Sequence, residues 1–233
     1  MNWLRVRRFS GRRRAAASSR GSPAAIVGLL LFALTPPHPQ GDPLTARSRG
    51  RPDAPVTVYE MADFQCPACR VFALETMPVL EREYVRTGKV RWVFVNFPLT
   101  EIHANAVAAA EVAMCAARQD RFWDVHDALF QRQPQWAPLR EPETYLVALA
   151  DSAGADRAGL LPCLTARATV AEIEADAQRA ARSGARSTPT FYIEGGLLRG
   201  AAPVAVFRAV LDSIHRVRTA PAPPTSPVPP PRR

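Results

Sequence analysis

Two cysteines spaced by two residues, Cys66-Pro67-Ala68-Cys69, follow an apolar, β-prone run over residues 56–64 and open a stretch of helical periodicity. A strand feeding a helix whose first turn carries two thiols leaves few folds open. Thiols three positions apart share one helix face, at a separation that suits a disulfide which opens and closes without refolding the chain. The first cysteine faces the unsatisfied N–H groups and the positive dipole end of the helix, which stabilise its thiolate and lower its pKa. Pro67 fits the first helical position, where no hydrogen bond is lost, and exposes Cys66 while Cys69 lies one turn deeper. Cys66 is therefore the expected nucleophile and Cys69 the resolving thiol. The competing reading, half of a zinc site, needs two further ligands. The sequence has no second C-x-x-C or H-x-H pair, and His103 and His126 stand singly, so no metal is expected.

The formal charge of +9 invites a nucleic-acid partner, but its distribution argues against one. Residues 52–215 hold 16 basic and 20 acidic side chains, a net of −4, while ten arginines precede Pro52 and four follow His215. No basic stripe interleaved with aromatics appears, so no nucleic-acid partner is expected. At 233 residues and 47% hydrophobic content, the chain has room for one packed domain with appendages.

Residues 1–35 have the layout of an export signal: arginines from Arg5 to Arg20, then an apolar run over residues 24–34. That run is shorter than the about 20 residues a membrane-spanning helix needs. No clean A-x-A site follows it, so both a cleaved signal peptide and a retained anchor stay open, and either implies an extracytoplasmic location. Disulfide chemistry suits that compartment. Residues 36–52 are proline-rich and polar and read as a linker, and residues 218–233, also proline-rich, as a disordered tail.

Between these ends, residues 56–60 read as a strand, residues 68–86 as a helix with a kink at Pro78, and residues 90–97 as a second strand. With Gly88 between helix and strand, this β-α-β order predicts a parallel pair. Residues 101–184 are rich in alanine at helical period and broken by Pro134, Pro138, Pro142 and Pro162, which predicts an all-helical insert. Residues 190–194 and 197–200 read as a hairpin turning at Gly195-Gly196, and residues 204–217 as a last amphipathic helix. His126 beside Trp123 reads as packed core, and neither it nor His103 is assigned to catalysis.

Four segments, Asp63-Phe64-Gln65-Cys66-Pro67-Ala68-Cys69, His103-Ala104-Asn105-Ala106, Phe122-Trp123-Asp124-Val125-His126-Asp127 and Ser187-Thr188-Pro189-Thr190-Phe191, occur in this order. Together they resemble the DsbA-like thioredoxin-fold thiol:disulfide oxidoreductases over most of residues 53–217. The resemblance implies an α/β thioredoxin fold with a helical subdomain inserted between the dithiol unit and a cis-proline hairpin. It implies that Thr188-Pro189 is a cis peptide whose loop sits against the cysteines, and that Glu60 is the buried acid beneath the dithiol, its pKa raised by burial so that it can shuttle the proton of Cys69. It also points to a structural disulfide between Cys115 and Cys163, against the alternative of two buried free thiols.

The activity implied is thiol–disulfide exchange on exported protein thiols, with no dissociable cofactor beyond the redox-active disulfide. Turnover requires a membrane redox partner, either a quinone-linked oxidase or an electron-feeding reductase. Disulfide donation is the leading reading. One departure bears on direction: strongly oxidising members often carry histidine where this chain has Ala68, which keeps a reductase or isomerase open. A non-catalytic thioredoxin-like binding or chaperone module stays open as well.

Overall fold

A computed structural model describes residues 44–221; the arginine-rich segment, the apolar run and most of the C-terminal tail lie outside the described residues. Five strands form one sheet in the order β1-β3-β2-β4-β5. They are β1 (Ser48–Arg49), β2 (Val56–Ala62), β3 (Val90–Asn96), β4 (Thr190–Ile193) and β5 (Gly196–Arg199). β2 and β3 run parallel, Val58 beside Trp92 and Glu60 beside Phe94, and the other pairs are antiparallel. This is a thioredoxin fold, with helices α3 (Ala106–Ala117) through α8 (Val170–Arg182) inserted between β3 and β4.

Alternation along the strands decides the layers, because successive side chains leave opposite faces. One face carries Val56, Val58, Val90, Trp92, Phe191 and Ile193, packed against Phe72 and Leu80 of the active-site helix and Phe207 and Leu211 of the last helix, α9 (Val204–Thr219). Phe72 lies 4.6 Å from Phe191 and 5.4 Å from Phe207, ring to ring. Phe64 and Phe94 continue this face into the insert, joining Phe122, Leu129 and Phe130 of α4 (Phe122–Gln131). On the opposite face Met61 and Val95 are covered by Ala180 of α8 and by Ala185.

Residues 67–85 form one helical rod with two widened stretches. Helix α1 (Pro67–Val71) passes into a π turn, Phe72–Thr76, then α2 (Met77–Leu80), then a second π turn, Glu81–Val85. Pro78 at the start of α2 has no N–H to donate, and the hydrogen bond before it widens to Met77 N–H on the Phe72 carbonyl. The kink expected at Pro78 thus takes the form of a π turn just before it.

Three sequence expectations need correction. Residues 44–49, read as linker, belong to the fold: β1 pairs with β3, and the buried Arg47 of the 3₁₀ turn Thr45–Arg47 forms an ion pair with the buried Asp176 of α8. Asp176 also accepts from the Asn96 backbone N–H at 3.1 Å, so every strong acceptor position is used. A two-residue strand and one buried cation leave no periodic signal. The hairpin turns at Glu194-Gly195, not Gly195-Gly196: both have positive φ, 45° and 86°, as a two-residue turn of the primed type requires, and Ile193 pairs with Gly196. This register sets Leu198 beside Phe191, where it packs on the core; a shift by one residue would turn it to the other face. Finally, α9 runs to Thr219, so the first two residues assigned to the tail are helical, and Arg218 donates to the Pro55 carbonyl at 3.2 Å.

Candidate active site

Cys66 caps α1 in an extended conformation, φ −71° and ψ 122°, and Pro67 takes the first helical position. The free N–H groups of the first turn are therefore directed at the Cys66 sulfur. Its residue is only 7% exposed, whereas Pro67 is exposed and Cys69 fully buried. Both thiols are free. The Cys66 thiol is drawn down from 9.0 to about 5, first by the hydrogen bond from the Cys69 thiol, then, against the cost of burial, by the Thr188 side chain and the backbone N–H groups of Cys69 and Ala68. Cys69 is driven well above 9.0, chiefly by burial and then by Cys66. The two thiols are thus unlike: one ionises readily and its neighbour keeps its proton.

The Thr188-Pro189 peptide is cis, and the Thr188 carbonyl lies 3.4 Å from Cys66 Sγ, within reach of the thiol as donor. A thiolate has no proton to give that carbonyl, and the buried Thr188 hydroxyl, which has no partner, is the donor at hand once Cys66 ionises. The loop is held by Gly200 N–H donating to the Pro189 carbonyl at 2.8 Å, so the β4–β5 hairpin carries it to the cysteines.

Beneath the dithiol, Glu60 is buried in a cross-strand row between Phe94 and Phe191. Burial pushes its carboxyl up from 4.5 to about 7, against a hydrogen bond from Trp92 Nε1 to Oε2 at 2.7 Å and the more remote charge of Arg49. Its Oε1 has no partner. Its negative charge in turn adds to the upward push on Cys69. A carboxyl that titrates near neutrality beside a thiol that resists ionisation is suited to proton transfer.

Several positioning side chains escaped the sequence reading. Buried Gln133 donates from Nε2 to the Phe64 and Cys66 carbonyls at 2.6 and 3.0 Å. Gln65 donates to the Ala137 carbonyl at 2.9 Å and accepts from the Asn105 backbone N–H at 2.7 Å. Asn105 Nδ2 reaches the Leu139 carbonyl at 2.8 Å. Asp63 accepts from Gln65 and Leu99 backbone N–H groups and contacts His103 Nδ1 at 2.7 Å. This amide clasp ties the residues before Cys66 to the insert. Gln65, Asn105 and Asp63 fell inside quoted motifs, but a lone Gln133 in the stretch read as an all-helical insert offered no signal.

His126 lies in the core as expected, ring to ring 4.9 Å from both Trp123 and Phe130, and Nδ1 meets Asp127 Oδ1 at 2.7 Å. Burial lowers its pKa, the Asp127 contact opposing. Cys115 of α3 and Cys163 of α7 (Arg157–Thr165) are joined by a disulfide with Cα atoms 5.8 Å apart, inside the insert. Among the described residues no group of three or more His, Cys, Asp or Glu side chains is placed to hold a metal ion.

Known proteins share this fold. Residues 43–213 match the thioredoxin family. The chain is 31% identical over 155 residues to the probable disulfide bond formation protein D of Bacillus cereus, covering 66% of this chain and 72% of that one. It is 32% identical over 220 residues to the Na(+)/H(+) antiporter NhaA 3 of Salinispora tropica, covering 94% of this chain but 31% of the antiporter. The chain thus spans about a third of that relative, and no described helix is long and apolar enough to cross a membrane. Among solved structures, oxidised BdbD from Bacillus subtilis superposes with a TM-score of 0.66 at 26% identity, over 73% of this chain and 92% of that one. DsbA from Chlamydia trachomatis, at 19% identity and a TM-score of 0.64, shares the fold. The chain belongs to the thioredoxin family, as a DsbA-like thiol:disulfide oxidoreductase.

Proposed function

We propose that the Cys66–Cys69 pair donates disulfides to exported proteins, with Cys66 as the attacked sulfur and Cys69 as the leaving and resolving one. The observation that carries this reading is the asymmetry of the pair: Cys66 is held down to about 5 while Cys69 is held well above 9.0. A substrate thiolate attacks Cys66 Sγ of the oxidised enzyme, the S–S bond breaks, and Cys69 leaves with the electron pair. Glu60 gives its proton to the Cys69 thiolate, becoming a carboxylate, and later regains a proton from water. A second substrate thiolate attacks the substrate sulfur of the mixed disulfide and releases Cys66 as a stable thiolate. Two substrate thiols become one disulfide, and the enzyme is left with a Cys66 thiolate and a Cys69 thiol.

Exposed Pro67 lies beside the nearly buried Cys66 where a polypeptide can approach, and the cis-proline loop offers it backbone groups. An extracytoplasmic setting is supported by the Cys115–Cys163 bridge and by the arginine-then-apolar order of residues 1–35. Reoxidation falls to a membrane-borne, quinone-linked oxidase. The equilibrium reduction potential of the dithiol, read against defined thiol buffers, tests the direction. A value close to the about −120 mV of DsbA is expected, and one near the about −270 mV of thioredoxin reverses the direction to a reductase. In parallel, Cys66→Ser is expected to fold and lose all exchange; retained exchange ends the assignment of Cys66.

A further inference from the structure

Arg49 belongs to a segment that reads as linker, yet three elements hold it in place. Its partner across the β1–β3 pairing is Trp92, so the two side chains leave the same face of the sheet. The same indole N–H is the one bonded to Glu60. The Arg49 guanidinium lies 4.2 Å from the ring centre of Trp123, whose own Nε1 donates to the Ser48 carbonyl at 3.1 Å. It donates to Asp127 of α4 at 2.9 Å and sits 3.7 Å from Glu81 in the second π turn. A stacked cation anchored by two carboxylates from different elements has little freedom to swing away.

Arg49 also lines a cleft of about 380 Å³ with Ala73, Leu74, Met77 and Phe130. The rod that begins at the dithiol forms one wall of this cleft, and α4 forms the other. The charge of Arg49 therefore sits on the inner side of the active-site helix, on the face of the sheet that carries Glu60. The row neighbours of Glu60, Phe94 and Phe191, are uncharged, and Arg49 is the cation that draws its carboxyl down.

We propose that Arg49 is a positioning residue for the proton transfer of the dithiol: held by Trp123, Asp127 and Glu81, it biases Glu60 toward the carboxylate, against the burial that keeps it protonated. This rests on the reading that Glu60 serves Cys69. When Cys69 leaves as a thiolate, the proton on Glu60 moves to its sulfur and a carboxylate remains; a fixed cation in the next sheet row favours that charged product. Asp127 and Glu81 offset part of the Arg49 charge, while Arg82 and Arg86, which line the same cleft, add to the positive field from its outer side.

Carbon-13 NMR titration of the Glu60 carboxyl in the oxidised full chain tests this without interference from thiols. Removing the cation in Arg49→Met is expected to move the Glu60 midpoint upward by about half a pH unit or more, with recovery in Arg49→Lys. Asp127→Asn, which leaves Arg49 less neutralised, is expected to move it downward. An unchanged midpoint in Arg49→Met overturns the proposal, and so does an upward shift in Asp127→Asn. If Arg49→Met fails to fold, Arg49→Gln, polar but uncharged, takes its place in the same titration. The relay itself is tested separately by Glu60→Gln. If that variant keeps the exchange rate and its pH profile, Glu60 does not serve Cys69, whatever Arg49 does to its titration.

Discussion

In the reduced protein the Cys66 thiol is drawn from 9.0 to about 5, so between those pH values the folded chain has released a proton that the unfolded chain retains. Stability rises with pH wherever the unfolded state binds more protons, so this contribution is fully present above pH 9 and is lost as pH falls through 5. At about 1.4 kcal/mol per unit, the gain at pH 7 is at most about 2.7 kcal/mol, and above pH 9 at most about 5.5 kcal/mol. Water at the helix mouth screens the thiolate and makes these upper values. Glu60, raised from 4.5 to about 7, acts with the opposite sign: its contribution is present below 4.5 and lost as pH rises through 7. It is present in both redox forms, whereas only the reduced form has a Cys66 thiol to ionise. Subtracting the unfolding free energy of the oxidised protein from that of the reduced one therefore isolates Cys66, because Cys69 stays protonated over this range. That difference is expected to grow by about 2 kcal/mol between pH 5 and 7, equivalent to a reduction potential about 40 mV more positive relative to an unfolded dithiol at the same pH. Urea unfolding of both forms across this range, with the thiolate followed by its ultraviolet absorbance, measures it. A difference that stays flat with pH, or thiolate absorbance that rises only near pH 9, would refute the argument that the helix terminus and the Cys69 thiol stabilise the thiolate.

Two further outcomes follow from the packing. Replacing both Cys115 and Cys163 by alanine opens a loop of 48 residues and is expected to cost up to about 4 kcal/mol in urea unfolding. The potential of Cys66–Cys69 should not change, since the bridge lies wholly in the insert. Asp176→Ala removes the carboxylate paired with the buried Arg47 and is expected to lower stability by about 3 kcal/mol or more on the same measurement.

The dithiol, the strand that delivers it, the hairpin after Pro189 and the amphipathic α9 were legible in the sequence because each is announced by neighbours in the chain. A C-x-x-C at a strand-to-helix junction, alternating β-branched residues and a Gly-Gly turn region all act within a few positions. Even there, the hairpin register was decided by whether Leu198 faces Phe191, a tertiary contact. Glu60 was pointed to by the family resemblance, but its donor, Trp92, became visible only when the parallel register set it one strand over.

What the tertiary structure alone decided is how the site is held. Arg47 finds Asp176 from 129 positions away, Gln133 reaches the Cys66 carbonyl from 67, and Arg49 meets Asp127 from 78. Each is a single polar residue with no periodic or motif signal, and its role exists only after the helical insert folds back over the sheet. The chemistry follows from local sequence, because a thiol at a helix N-terminus is activated by its own first turn. The setting of that chemistry, including how Glu60 is charged and what anchors the loop before Cys66, required strands and helices far apart in the chain to meet, since burial and long-range charge are properties of the packed interior.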